Sequence, residues 1–173
     1  MADYKSFKKL ISAMESSDNP DVKHPPVKKG VNKGDTAIGQ YGLMPNTIRE
    51  LANRAEKSGQ ETISDDIIQS SSNLQIEDML KNRPELMDLY VNRLMKHVMD
   101  KSKNNPEEAY LRWLYGHNLP DNRIQRLKKS DDKTMKRMRD IINTKHLMSE
   151  QPDLLQIPEE PFVDKPYSPK KSK

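Results

Sequence analysis

The stretch PELMDLYVNRLMKHV, Pro84 to Val98, decides the fold class of this chain. Its large apolar residues recur three or four positions apart, which is the spacing of one face of an α-helix. The proline at its start suits a first helical turn, because proline has no N–H to leave unsatisfied and its φ is already helical. The stretch therefore predicts a helix that buries Leu86, Leu89, Tyr90, Leu94 and Val98.

The same periodicity recurs on both sides of this helix. It predicts a first helix that ends at Ser16–Pro20, a second from Pro45, a short third capped by Ser64 and a fourth over Leu74–Leu80. Further helices are expected from Pro106, with Ala109, Tyr110, Trp113 and Leu114 as its buried stripe, from Pro120, and around Met135–Ile142. No useful stretch alternates with period two, so a sheet is not expected. The predicted fold class is all-α.

Two segments lack this pattern. Residues 21–35 carry Pro, Gly, Lys and Asn without periodicity and indicate a long loop, which in a compact domain is often functional. The last 24 residues hold five prolines, a density that disfavours helix. We expect one compact helical domain over 1–150 and an extended Pro/Lys-rich C-terminal arm over 151–173, draped over a partner or mobile.

Composition limits the possible functions. The chain is 33% apolar and 32% charged, with nine aromatic residues and ten Met, which predicts a modest core filled partly by Met. With no cysteine, disulfides, thiolate chemistry and Cys-ligated metals are excluded. No apolar run approaches the roughly 20 residues of a membrane span. The N-terminus does not read as a signal peptide, so translation is expected to leave the protein in the cytosol.

Positive charge is concentrated in two places. The run RIQRLKKSDDKTMKRMR, Arg123 to Arg139, has eight basic residues and two acids, and the terminal KPYSPKKSK has four lysines and no acid. Such patches suit binding to nucleic acid, an anionic cell wall or a protein surface. For the run Arg123 to Arg139, a solvated helix face is an equally good explanation. Nucleic acid is the weakest of these partners, since no helix-turn-helix or aromatic-basic pattern accompanies the charge.

Few catalytic patterns are present. The four histidines are scattered, and no phosphate-binding glycine loop or nucleophile elbow occurs, so neither a metal nor a cofactor is expected. The remaining candidate is Glu15, which follows the apolar face that ends in Met14. A carboxyl group held half inside an apolar cleft has a raised pKa, as a general acid near neutral pH requires. The alternative is an ordinary solvated Glu near a helix end.

The segment MESS, Met14 to Ser17, followed by IGQYGLMP, Ile38 to Pro45, resembles the lytic transglycosylase, or goose-type-lysozyme-like, family. That family carries Glu-Ser at a helix end and then a Gly-x-x-Gly-Leu-Met turn before the next helix. A third element, an Ala-Tyr-Asn-like segment, is represented only by EEAYLRWLYGHNLP, Glu107 to Pro120. The resemblance implies a compact lysozyme-like domain.

The resemblance also implies roles for individual residues. Glu15 is the implied catalytic acid, and the implied substrate-binding residues are Ser16, Gln40, Tyr41, Gly42, Leu43, Met44, Tyr110, Tyr115 and Asn118. Tyr115 is favoured over Tyr110 as the tyrosine beside the acid, because Gly116 and a loop follow it. The two turn glycines allow close approach of a substrate, and Leu43 and Met44 are expected to wall a sugar subsite.

By this resemblance, Glu15 protonates the glycosidic oxygen between N-acetylmuramic acid and N-acetylglucosamine in peptidoglycan. The substrate's acetamido group then assists, which removes the need for the second carboxylate that most glycosidases use. The chain looks like transglycosylases carried in bacteriophage virions, which open the wall during genome delivery, with the C-terminal arm bound to a tail or internal virion protein. One alternative function is that of a non-catalytic virion protein, because Met44 is followed directly by Pro45 where the family has Gln. The other is that of a basic nucleic-acid-binding protein.

Overall fold

The computed structural model describes residues 4–30, 32–130 and 132–144. Over these residues the fold is all-α, as predicted, with eight helices: α1 Tyr4–Ser16, α2 Pro45–Lys57, α3 Ile63–Gln69, α4 Asn73–Asn82, α5 Pro84–Lys101, α6 Pro106–Tyr115, α7 Asp121–Lys129 and α8 Lys133–Thr144. In the same residues the only β-type pairing is the isolated bridge between Ile38 and Leu43. The predicted C-terminal arm, 151–173, lies outside the described residues.

The described chain forms two compact units. The first contains residues 4–22 and 91–144, and the second contains residues 23–90, so that the boundary falls within α5. Each unit buries apolar faces of its own helices. Burial of one large aliphatic or aromatic side chain contributes about 1.5–3 kcal/mol to folding, so these faces hold the helices in place.

In the first unit, α1 packs against α6 and α8, and α6 packs against α7. The α1 face is the predicted one, with Phe7 and Ile11 fully buried. The ring of Phe7 meets that of Trp113 edge to face, with centroids 6.3 Å apart. Methionines fill part of the core as expected, since Met95, Met99, Met135 and Met138 are all buried here. This packing places the C-terminal end of α1 beside α6 and α8.

The first unit also buries a charged side chain, Arg112 of α6. Its guanidinium donates to the carboxylate of Asp121, to Oγ of Ser102 at 2.7 Å and to the carbonyl oxygen of Leu119 at 3.2 Å. A buried cation is tolerated only when paired and hydrogen-bonded, and these three partners provide that. Arg112 therefore ties the start of α7 and the end of α5 to α6.

In the second unit, α2 packs against α3 and α4. The prediction that Ser64 caps the third helix is wrong: the cap is Thr62, whose side chain accepts from the N–H of Asp65 while Asp65 accepts from the N–H of Thr62. These two reciprocal hydrogen bonds satisfy two backbone N–H groups at the start of the helix, whereas a single capping side chain satisfies one. Ser64 is instead buried, and its Oγ accepts from Arg83 at 3.3 Å.

Candidate active site in the first unit

Glu15 lies in the last turn of α1, between two buried residues, Met14 and Ser16. Its own side chain is half-buried. The helix stops here because Ser17 and Asp18 have positive φ, 52° and 63°, and the N–H of Asp18 turns back to the carbonyl oxygen of Ser12 at 3.2 Å. A fixed helix end thus holds the Glu15 carboxyl at the edge of the apolar core.

Tyr110 is the residue that contacts this carboxyl. Its hydroxyl donates a hydrogen bond to Oε1 of Glu15 at 3.1 Å, while the ring is buried, with 1% exposed. The position of Tyr110 follows from the start of α6, where Asn105 caps the helix and Pro106 occupies the first turn. Four residues further on, one helical turn brings Tyr110 to the buried side that faces α1.

The Tyr110 hydroxyl is held in its protonated form. Burial raises its pKa above the ordinary value of 10.0, and both the negative charge of Glu15 and the hydrogen bond to Glu15 raise it further. The charge of Arg137 lowers that pKa by a smaller effect. At any pH at which the protein works, Tyr110 is therefore a hydrogen-bond donor to Glu15 and not a base.

A surface cleft of about 310 Å³ opens beside this pair. It is lined by residues of α1, α6 and α8: Met14, Glu15, Tyr110, Leu114, Lys133, Thr134 and Arg137. Ligand sites in proteins commonly range from about 300 to 1,000 Å³, so this cleft has room for a small group. Glu15 is the one acid among its lining residues.

Arg137 connects α8 to the end of α1. Its Nη2 donates to the carbonyl oxygen of Ala13 at 3.2 Å and to Oγ of Ser17 at 3.3 Å. Carbonyl groups at a helix C-terminus are not fully satisfied by the helix itself, and the negative end of the helix dipole favours a cation there. The guanidinium thus fixes both the end of α1 and one side of the cleft.

The structure chooses between the two tyrosines. The hydrogen bond to Glu15 comes from Tyr110, whereas the favoured residue Tyr115 is the last residue of α6 and is 44% exposed. The preference for Tyr115 was therefore wrong in this respect. The physical reason is helical phase: five residues along an α-helix correspond to a rotation of about 140°, so the two side chains leave the helix in different directions.

Two other predicted residues do not line the cleft. Ser16 is buried and its Oγ donates to the carbonyl oxygen of Ser12 at 2.9 Å, back along α1. The amide oxygen of Asn118 lies 3.4 Å from Nε2 of His97 and accepts from Nζ of Lys101 at 3.3 Å. Leu114, which was predicted to be buried with the rest of the α6 stripe, is 37% exposed and lines the cleft.

The predicted turn belongs to the second unit. Ile38 and Leu43 form two backbone hydrogen bonds, of 2.7 and 3.1 Å, which close a loop over Gly39, Gln40, Tyr41 and Gly42. Both glycines have positive φ, 68° and 64°, which side-chain-bearing residues seldom adopt. The carbonyl oxygen of Gly39 accepts from Nε2 of His24 at 2.7 Å, which anchors the turn to the long loop.

Within this turn the side chains have different surroundings. Leu43 is 1% exposed and is part of the core of the second unit, so its side chain does not wall a sugar subsite. Gln40, Tyr41 and Met44 are half-buried, and Met44 stands at the N-cap position of α2. The buried position of Leu43 follows from its bridge to Ile38, since bridged residues point to the same side of the pair.

Sequence reasoning did not identify the α8 residues of the cleft. Lys133, Thr134 and Arg137 lie more than a hundred positions after Glu15, and their spacing alone says nothing about α1. The available signal is the basic run from Arg123 to Arg139, which contains all three. That run was interpreted as a surface patch, and only the packing of α8 on α1 brings its cations to the carboxyl group.

The described residues contain no group of three or more His, Asp or Glu side chains placed to hold a metal ion. Within that same part of the chain, no helix combines the length and the apolar character needed to cross a bilayer. No protein-family model, curated protein or solved structure matches the chain.

Proposed function

We propose that this protein is a peptidoglycan lytic transglycosylase with a lysozyme-like helical domain, and that Glu15 is its catalytic acid. The observation that carries the proposal is the hydrogen bond from Tyr110 to Glu15 at the edge of a cleft. The resemblance of the Glu-Ser, Gly-x-x-Gly-Leu-Met and Ala-Tyr segments motivates the choice of substrate. A carboxylic acid in a cleft can serve many reactions, so the choice of a sugar as the substrate depends on that resemblance.

The geometry supports an acid at this position. A general acid must present its carboxyl in one orientation to the leaving oxygen, and a buried donor fixed to Oε1 restricts rotation of the carboxyl. Tyr110 supplies that donor from the rigid interior of α6. Because the pKa of Tyr110 is raised, the phenol does not compete for the proton that Glu15 transfers.

The cleft also supports the substrate-assisted route. Glycosidases with two carboxylates hold them about 5–5.5 Å or 6.5–9.5 Å apart, and among the described residues Glu15 is the one acid that lines this cleft. In the proposed reaction the C1–O bond of the muramic residue breaks as Glu15 protonates the leaving oxygen. The acetamido oxygen bonds to C1, and the 6-hydroxyl then displaces it. The hydroxyl proton returns to Glu15, and the product is a 1,6-anhydro sugar.

The proposed setting is a bacteriophage virion, in which residues 151–173 bind a tail or internal virion protein. This setting is proposed because that segment is rich in Pro and Lys and because the chain resembles virion transglycosylases. A local wall-opening enzyme of this kind needs an anchor to the particle. Removal of residues 151–173 is expected to leave cleavage of isolated peptidoglycan intact while abolishing incorporation into particles.

The nucleic-acid alternative loses support from the structure. Lys128 pairs with Glu108 at 3.0 Å, Arg139 contacts Glu107 at 3.4 Å, and Arg137 binds the end of α1. At least three of the eight cations in the basic run therefore have partners within the fold. Affinity for nucleic acid depends on cations that can neutralise phosphates, so this run is a weaker electrostatic footprint than its sequence suggests.

The decisive experiment compares the full chain with Glu15→Gln on purified peptidoglycan, with products read by mass spectrometry. Anhydromuramyl ends are lighter than hydrolysed ends by one water, so the products identify the reaction. General acid catalysis contributes roughly 10²–10⁴-fold, so Glu15→Gln is expected to reduce the rate by that factor. Glu50→Gln is the matched control, because Glu50 lies on α2, in the second unit, where it pairs with Arg54.

Equal cleavage by wild type and Glu15→Gln would show that Glu15 is not the acid. If neither protein cleaves peptidoglycan but both enter virions, the non-catalytic structural role replaces the proposal. Circular dichroism of each variant establishes that the helical fold is retained, so that a loss of cleavage is not a loss of folding.

A further inference from the structure

The cleft beside Glu15 has a cationic wall that acid catalysis does not require. Lys133, Thr134 and Arg137 of α8 supply this wall. Lys133 and Arg137 are four positions apart, so they lie on one face of α8, and both side chains are exposed. Among the described lining residues the one carboxyl group is that of Glu15, so these residues carry a net positive charge even when Glu15 is ionised.

Arg137 is held in a fixed position in this wall. Both of its described bonds, to Ala13 and Ser17, use Nη2. Guanidinium has five N–H donors, and among the described residues no bond engages the Nε–H or Nη1–H groups of Arg137, so each of them can donate a single hydrogen bond to a carboxylate oxygen. Its charge acts within the site, as its lowering effect on the pKa of Tyr110 shows.

The acids near this wall do not cancel it. Asp132, just before α8, accepts the N–H of Met135 at 2.8 Å through Oδ1, so its carboxylate caps the helix. Glu107 and Glu108 are engaged by Arg139 and Lys128. Lys133 and Arg137 therefore remain the charged groups of α8 that line the cleft, and a ligand with its own anionic group complements them.

We infer that Lys133 and Arg137 bind a carboxylate of the glycan, so that the cleft selects carboxylate-bearing sugars over neutral ones. The glycan nature of the ligand rests on the proposed function; the need for an anionic group rests on the cleft itself. In peptidoglycan the carboxylate comes from the lactyl group of muramic acid or from its peptide. A nucleic-acid strand is disfavoured, because the cleft of about 310 Å³ has room for a small group and not for a polymer.

The test measures binding and not cleavage, using the full wild-type chain and monosaccharide probes that contain no bond to cleave. N-acetylmuramic acid presents the lactyl carboxylate, N-acetylmuramyl dipeptide presents peptide carboxylates, and N-acetylglucosamine is the neutral control. Affinities from NMR titration are expected to be highest for one of the two anionic probes, and which of them binds identifies the source of the carboxylate.

Three variants locate the binding. An exposed ion pair is worth about 0.2–1 kcal/mol, so Lys133→Met should weaken binding of the anionic probe by about two- to fivefold. Arg137→Gln should weaken binding of that probe by about tenfold, since a charge-assisted hydrogen bond to the carboxylate is lost, with its melting temperature recorded to show that it folds. Lys136→Met, exposed on α8 but outside the cleft lining, should have no effect.

Equal affinity for neutral and anionic sugars, no binding of any sugar, or no effect of Lys133→Met would overturn the inference. So would a short single-stranded oligonucleotide that binds tightly and loses affinity in Lys133→Met. These outcomes are separate from the cleavage experiment. If the protein cleaves peptidoglycan but does not prefer the anionic probes, the proposed function stands and this inference fails. If it prefers the anionic probes but does not cleave peptidoglycan, only this inference stands.

Discussion

Tyr110 and Glu15 are 95 positions apart in the chain, yet the phenol of the first donates a hydrogen bond to a carboxyl oxygen of the second at 3.1 Å. One partner is buried on α6 and the other is half-buried at the end of α1. The pair therefore depends on the packing of α1 against α6. The contact joins two residues that the sequence predicts to form the active site.

Replacing Tyr110 with Phe tests its positioning role. Hydrogen bonds to charged groups contribute about 1.5–3 kcal/mol, so kcat for peptidoglycan cleavage is expected to fall by roughly 10- to 100-fold with KM nearly unchanged. Steady-state kinetics on a soluble glycan substrate separates the two constants. Tyr115→Phe is the comparison and should lower kcat much less, since Tyr115 is 44% exposed and the hydrogen bond to Glu15 comes from Tyr110. A change confined to KM would argue for direct substrate contact instead.

The alkaline stability of the protein should depend on Tyr110. Burial, and then the Glu15 charge, raise the pKa of Tyr110 in the folded state, while an unfolded tyrosine has a pKa of about 10. The resulting stabilisation is complete below about pH 10 and is lost as the pH rises above it. Denaturant unfolding between pH 8 and 11 should therefore show a steeper decline in wild type than in Tyr110→Phe. Parallel curves would mean that Tyr110 titrates normally.

Asp121→Asn should destabilise the first unit more than Asp100→Asn. Both substitutions remove one salt bridge, but Asp121 pairs with Arg112, whose side chain is 2% exposed, whereas Asp100 pairs with Lys96 at the surface. Weakening a charged hydrogen bond to a buried cation costs about 1–3 kcal/mol, and an exposed i,i+4 pair contributes about 0.3–0.5 kcal/mol. Urea unfolding gives both values. Equal losses would indicate that Ser102 and Leu119 satisfy Arg112 without Asp121.

Gly39→Ala and Gly59→Ala form a matched pair in the second unit, because their φ values are 68° and 69°. A left-handed conformation costs a non-glycine residue about 1–2 kcal/mol, and this cost applies to both. A Cβ at Gly39 would also meet the terminal methyl of Met87 at 2.7 Å, whereas a Cβ at Gly59 meets nothing within 4 Å. Since Met87 is flexible, Gly39→Ala should be less stable than Gly59→Ala by under about 1 kcal/mol. A larger difference would show that Met87 cannot move.

Much of the fold could be predicted from local pattern. The periodicity of apolar residues and the prolines at positions 45, 84 and 106 located helices whose observed starts are those prolines. These signals are local, because a helix satisfies its hydrogen bonds within a few residues. The error at the third helix was local as well: Thr62 and Ser64 are both plausible caps, and the reciprocal bond from Asp65 decides between them.

The sequence by itself determined the helices, the apolar face of α1 and the position of Glu15 at its end, because each depends on neighbours within a turn or two. Only the tertiary structure decided that Tyr110 and not Tyr115 contacts Glu15, that Leu43 is buried, and that Lys133 and Arg137 line the cleft. Those relationships join residues from distant parts of the chain. They are decided by which helix faces pack together, and helix packing depends on the combined shape of many side chains.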